Sequence, residues 1–123
     1  MDLKLVIPGP PVPKGRPRVT RRGITYTPKK TKDATERVRA AIAEITDEAE
    51  PDSSSRFGVS CKFYLRLKGY GADVDNLLKL ILDACNVLVW KDDRQVFKLI
   101  GEKVEYADEP RTEITIWTRG NDA

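Results

Sequence analysis

Between residues 75 and 88 the chain holds only five polar side chains, Asp75, Asn76, Lys79, Asp83 and Asn86; the rest are Leu, Ile, Val, Ala and Cys. Asp75, Lys79, Asp83 and Asn86 are spaced four, four and three residues apart, so on a helix they form one narrow stripe. All of the surface outside that stripe has to leave water. A sheet on one side and a second subunit on another would supply the cover.

The flanking segments provide the sheet. Residues 58–67 alternate Val59, Cys61, Phe63, Leu65 and Leu67 against Ser60, Lys62, Tyr64 and Arg66, the period of a half-buried strand. Residues 95–106 and 112–118 read as two further strands, expected as a hairpin across Ala107-Asp108-Glu109-Pro110-Arg111. Leu3, Leu5 and Ile7 alternate with polar or exposed positions in a first strand that Pro8 stops. A helix over about 32–47, with Thr31 as N-cap, is expected from Ala34, Val38, Ala41, Ile42 and Ile45 at helical spacing. Gly23 followed by Ile24-Thr25-Tyr26 reads as a short ribbon. The order β-α-β-α-β-β predicts an α+β fold, one layer of about four mixed strands packed with two main helices. At 123 residues without internal repeats, the chain reads as a single domain.

Composition narrows the chemistry. The chain has no histidine, which excludes Ser-His and Cys-His nucleophile pairs, imidazole acid–base catalysis and histidine metal sites. Cys61 and Cys85 sit among apolar neighbours and read as reduced core thiols. Two cysteines cannot make a four-ligand zinc site without histidine. No apolar run approaches the ~20 residues needed to span a bilayer, and Met1-Asp2-Leu3 lacks the basic flank of a secretion signal. The expectation is a cytoplasmic protein with no membrane partner.

The formal charge of +3 conceals a division. Residues 1–30 hold eight Lys or Arg against one acid, whereas residues 51–123 hold eleven bases against twelve acids. The stretch from Pro8 to Pro17 has five prolines and two glycines and must be extended. A basic, proline-rich arm at about 8–30 therefore carries Lys14, Arg16, Arg18, Arg21, Arg22, Lys29 and Lys30. Such an arm can follow a phosphate backbone with strong salt dependence.

Two acidic clusters bracket the apolar helix. Asp73-Val74-Asp75-Asn76 stands at its start, with Lys79 one turn on; Asp92-Asp93 follows Trp90 beyond its end. Capping and turn formation account for single residues of this kind. Three short polar groups within four residues exceed what one cap requires. A strand from about 95, lying beside the strand 58–67, would fold Asp93 back toward Asp75. Converging carboxylates repel unless a hard cation joins them, and Mg2+ held by oxygen ligands can drive phosphodiester hydrolysis without histidine.

Together these segments resemble the RusA family of Holliday-junction resolvases, small phage and prophage endonucleases. The resemblance runs from Pro8-Gly9-Pro10-Pro11-Val12-Pro13-Lys14-Gly15-Arg16-Pro17-Arg18 and Tyr26-Thr27-Pro28 through Asp73-Val74-Asp75-Asn76-Leu77-Leu78-Lys79 and Leu82-Asp83-Ala84. It continues in Trp90-Lys91-Asp92-Asp93-Arg94-Gln95-Val96 and ends with Lys103 and Tyr106. It implies an α+β homodimer that binds four-way DNA junctions and makes paired, Mg2+-dependent nicks, with Mn2+ able to substitute. By motif position, Asp73, Asp75 and Asp93 would be the catalytic, metal-holding aspartates, with Lys79 the essential lysine and Asp92 an assisting ligand. A bacterial cell and a phage or prophage origin are implied likewise.

Two other readings follow from the residues alone. One is a non-catalytic DNA-binding module whose acids only cap helices. The other is a metal-dependent enzyme acting on a different phosphate substrate, against which the basic arm and short length count.

Overall fold

The computed structural model describes residues 2–15, 18–46, 51–66 and 73–119, with the backbone alone at Arg18. Its organising element is a strand, β4 (Phe57–Tyr64), whose alternation turns Phe57, Val59, Cys61 and Phe63 to one face, each at most 1% exposed. Both edges of β4 are used. β6 (Arg111–Thr118) pairs with it antiparallel and β5 (Val96–Val104) pairs with it parallel. β1 (Asp2–Pro8) closes the far side of β6, giving the order β1-β6-β4-β5.

Parallel neighbours cannot be joined by a tight turn, so the chain between β4 and β5 has to cross over. The crossover is α2 (Val74–Cys85), which buries Leu77, Leu78, Leu80, Ile81, Ala84 and Cys85. α1 (Lys29–Ile45) lies against α2 and adds Thr31, Ala34, Val38 and Ile42 to the buried layer. Two helices thus sit beside a four-stranded mixed sheet, the expected α+β class. A two-residue ribbon, β2 (Arg18–Val19) with β3 (Thr25–Tyr26), stands apart from the sheet.

Three expectations are corrected. The last two strands are not a hairpin, because β6 lies on the opposite side of β4 from β5. β6 buries Thr112, Ile114 and Ile116 and needs strands on both flanks, while the middle of β5 is exposed, as suits an edge. The link passes over the end of β4, where Ala107 N–H donates to the Leu65 carbonyl. Thr31 is not an N-cap. The first helix begins after Pro28, and the buried Thr31 hydroxyl instead accepts the Gly15 N–H at 2.9 Å. The apolar helix stops at Cys85 rather than near 88, since Val87 takes a positive φ of 66°. Arg39 closes that end by donating to the Ala84 and Asn86 carbonyls at 3.1 and 3.2 Å.

The cysteines are free and buried, and burial pushes the Cys61 thiol up to about 12 and the Cys85 thiol higher still. Among the described residues no helix is long and apolar enough to cross a membrane.

Gly58 is the tightest point of the sheet. The register of β4 against β5 slips between Phe57 and Gly58, and any Cβ at Gly58 would run into the Trp117 indole. Gly58→Ala is expected to lower stability by about 1–3 kcal/mol. Urea unfolding followed by circular dichroism checks it, with a lower midpoint at an unchanged slope.

Candidate active site

The start of α2 presents a set of uncommitted carboxylates. Asp73 occupies the N-cap position, yet its side chain makes no capping hydrogen bond. Asp75 lies in the first turn, where its Oδ1 accepts the N–H of adjacent Asn76 at 3.0 Å. Both residues are exposed. The helix dipole favours negative charge here, which helps two acids stand two residues apart. Lys79 is exposed one turn on. Asp83, a further turn along the stripe, holds the Lys14 ammonium at 2.7 Å.

The second acidic pair divides its work. Trp90 is fully buried against Phe57, with ring centroids 5.4 Å apart, and its indole Nε1 donates to Asp93 Oδ1 at 2.7 Å. Asp93 is thereby aimed by the core while remaining exposed. Asp92 is a cap: its Oδ1 accepts Arg94 N–H at 2.9 Å and its Oδ2 meets the Arg94 guanidinium at 3.2 Å. These hydrogen bonds, from the backbone first, hold its carboxyl below the usual carboxylate range. Gln95 completes the box by accepting the Asp92 and Lys91 N–H groups, and it donates to the Asp52 and Ser55 carbonyls.

Asp93 does not fold back onto Asp75 within one chain. β5 runs parallel to β4 and starts opposite Phe57, the first residue of β4, whereas Asp73 follows the last. α2 alone puts roughly 15 Å between Asp75 and Cys85 at 1.5 Å per residue. Along the paired strands the separation is roughly 25 Å. Among the described residues no group of three or more Asp, Glu or Cys could hold a metal ion. Asp73 and Asp75 by themselves fit a partial Mg2+ shell, being hard oxygen donors that are exposed and free of caps. Such a pair leaves positions for water and phosphate oxygens.

The basic residues are distributed unevenly. Lys14 is engaged by Asp83, and its N–H donates to the Asn76 carbonyl at 2.9 Å, so the arm is fastened to α2. Arg21 and Arg22 are exposed in the turn joining β2 to β3, and Lys29 and Lys30 are exposed on the first turn of α1. The Arg18 backbone pairs with Tyr26; Arg16 lies outside the described residues. A cleft of about 680 Å3 separates Lys14 and Asp83 from Tyr26, Lys32 and Arg39. A second, of about 690 Å3, runs beside Asp92 and is lined by Arg56, Lys91, Arg94 and Phe97.

Several of these residues escape sequence reasoning. Arg39 and Gln95 act through backbone carbonyls more than forty residues away, which spacing does not reveal. Lys91 and Arg94 flank the acidic pair, and that adjacency was the one available signal.

Comparison with known proteins follows the same lines. The family model described as Endodeoxyribonuclease RusA matches residues 8–117. A stretch of 44 residues is 50% identical to the uncharacterized protein YqaN of Bacillus subtilis (strain 168), covering 36% of this chain and 30% of that protein. The match therefore spans under a third of that relative's length.

The indole bond to Asp93 can be removed while a ring stays in the core. Trp90→Phe is expected to lower stability by about 1–2 kcal/mol, from one lost hydrogen bond and slightly looser packing. Denaturant unfolding measures it, and an unchanged midpoint would mean that the bond contributes nothing.

Proposed function

Because the chain belongs to the RusA endodeoxyribonuclease family, we propose that it is a Mg2+-dependent, structure-specific endonuclease resolving four-way DNA junctions by paired phosphodiester hydrolysis. The observation that carries this reading is the Asp73–Asp75 pair, exposed at the start of α2 with neither carboxylate committed to a cap. A bound Mg2+, or Mn2+ in its place, would activate water and neutralise charge on the leaving oxygen.

The remaining roles belong to this chain's own groups. Asp73 and Asp75 hold the cation, and Lys79 on the same stripe stabilises phosphate charge or orients Asp75. Asp93, aimed by Trp90, completes the ligand set. The separation of Asp93 from Asp73 and Asp75 within one chain favours a site built across a homodimer. Asp73 and Asp75 then work with Asp93 of the partner subunit. A four-way junction is itself two-fold symmetric, so two such composite sites match two cuts. Arg21, Arg22, Lys29 and Lys30 grip the strands, with Lys14, Arg16 and Arg18 in the same arm. A single endonuclease domain of phage or prophage origin, working in the bacterial cytoplasm, fits this role.

The test uses a synthetic four-way junction and a linear duplex, each with Mg2+ and with EDTA. The junction should be nicked only with the cation. Asp75→Asn should reduce nicking by at least about two orders of magnitude while leaving junction binding in place. A mutant that still cuts at the wild-type rate overturns the assignment. Binding without cleavage under any divalent ion would instead identify a DNA-binding module. Mixing Asp75→Asn with Asp93→Asn protein then distinguishes the two site geometries. Composite sites recover about a quarter of the wild-type nicking, since half the dimers are mixed and each mixed dimer has one intact site. Sites confined to one chain recover nothing.

A further inference from the structure

β5 is the least covered element of the fold. It lies at the edge of the sheet, and its residues from Phe97 to Glu102 are all exposed. Phe97, Leu99 and Ile100 are 38%, 42% and 42% exposed. A nine-residue edge strand with three large apolar side chains is a ready template for another strand, and soluble proteins do not leave such an edge bare. We propose that it pairs with β5 of a second copy, antiparallel and centred on Ile100, so that two four-stranded sheets become one sheet of eight. This rests on the homodimer reading above and supplies its interface.

Three features of β5 select this arrangement. The first is backbone direction. The Val104 carbonyl accepts the Leu65 N–H at 2.8 Å, so even-numbered residues of β5 turn their peptide groups into the sheet. Leu99 and Gly101 therefore turn theirs outward. A register centred on Ile100 sets Leu99 opposite the partner's Gly101, the hydrogen-bonded type of pair, and Ile100 opposite the partner's Ile100, the close, non-bonded type.

The second is charge. Lys98 comes to lie opposite the partner's Glu102, and Glu102 opposite the partner's Lys98. Matching the faces of two identical strands permits only even shifts. A shift by two places either Ile100 against the partner's Glu102 or Lys98 against the partner's Ile100, and both charge pairs are lost. The third is shape. Gly101 leaves the space beside Leu99 of the partner subunit free of a side chain.

The same register has a consequence that was not used to choose it. Val96 comes opposite the partner's Val104, and Asp93 lies three residues before Val96. A Cβ at Gly101 would meet Val74 at 3.0 Å, so the start of α2 sits over the C-terminal half of β5. Pairing across the axis thus brings Asp93 of the partner subunit to the end of the sheet that carries Asp73 and Asp75.

Charge reversal tests the register. Lys98→Glu and Glu102→Lys, each alone, should weaken the dimer by about tenfold or more, because each creates two like-charge pairs. The double variant should restore it. Sedimentation equilibrium of the full chain reads all three. Ile100→Cys should form a covalent dimer on mild oxidation, its Cβ atoms meeting across the axis, whereas Val19→Cys, equally exposed but on the ribbon, should not. If the wild-type protein is a dimer that neither reversal weakens and Ile100→Cys fails to cross-link, the β5 interface is wrong while the dimer stands. A monomer at every concentration and on junction DNA overturns both.

Discussion

The parallel pairing of β4 with β5 governs everything that follows in this fold. Parallel neighbours require a crossover, and the crossover helix has to run back against the direction of both strands. Whatever precedes α2 therefore sits at one end of the sheet and whatever follows it sits at the other. Asp73 and Asp75 fall at the first end, Asp92 and Asp93 at the second. An antiparallel β4–β5 pair would have united them. The distribution of acids in one protomer is thus a product of strand direction, and a two-fold axis across the β5 edge is the simple operation that undoes it.

Much of the local structure was legible in the chain. The polar stripe of Asp75, Lys79 and Asp83 is the exposed side of α2, and the Leu, Ile, Ala and Cys residues around it are buried. The alternation of Val59, Cys61 and Phe63 fixed the inward face of β4. Alternation reports which face a side chain takes, however, and carries no information about the neighbouring strand or its direction. That is why Thr112–Thr118 reads as the hairpin partner of Gln95–Tyr106 when it pairs with β1 and β4 instead. It is also why Asp93 reads as returning to Asp75.

The basic arm illustrates a second limit. Five prolines between Pro8 and Pro17 identify an extended segment, and they say nothing of where it is fastened. Val12 packs on the core, Gly15 closes on Thr31 and Lys14 binds Asp83, so the arm is held against both helices before it reaches the ribbon. A Cβ at Gly15 would stand 2.7 Å from Thr31 Oγ1, which explains a glycine inside an otherwise proline-stiffened run. Lys14 spends its charge on this attachment. The exposed cations that remain for a polyanion, Arg21, Arg22, Lys29 and Lys30, are those carried by the ribbon and the start of α1.

The adjacent aspartates after Trp90 separate structural from chemical acids. Asp92 is surrounded by donors from Arg94 and Gln95 and holds its turn shut, an arrangement in which both carboxylate oxygens are occupied. Asp93 uses one oxygen on a fully buried indole and leaves the other toward solvent. The same contrast exists at α2, where the backbone of Asp73 starts the helix while its side chain does not cap it. In a chain without histidine, carboxylates kept out of local hydrogen bonding are the groups able to meet a cation. Rigid attachment to a helix start and to a core tryptophan gives each of them a defined direction before any ligand arrives.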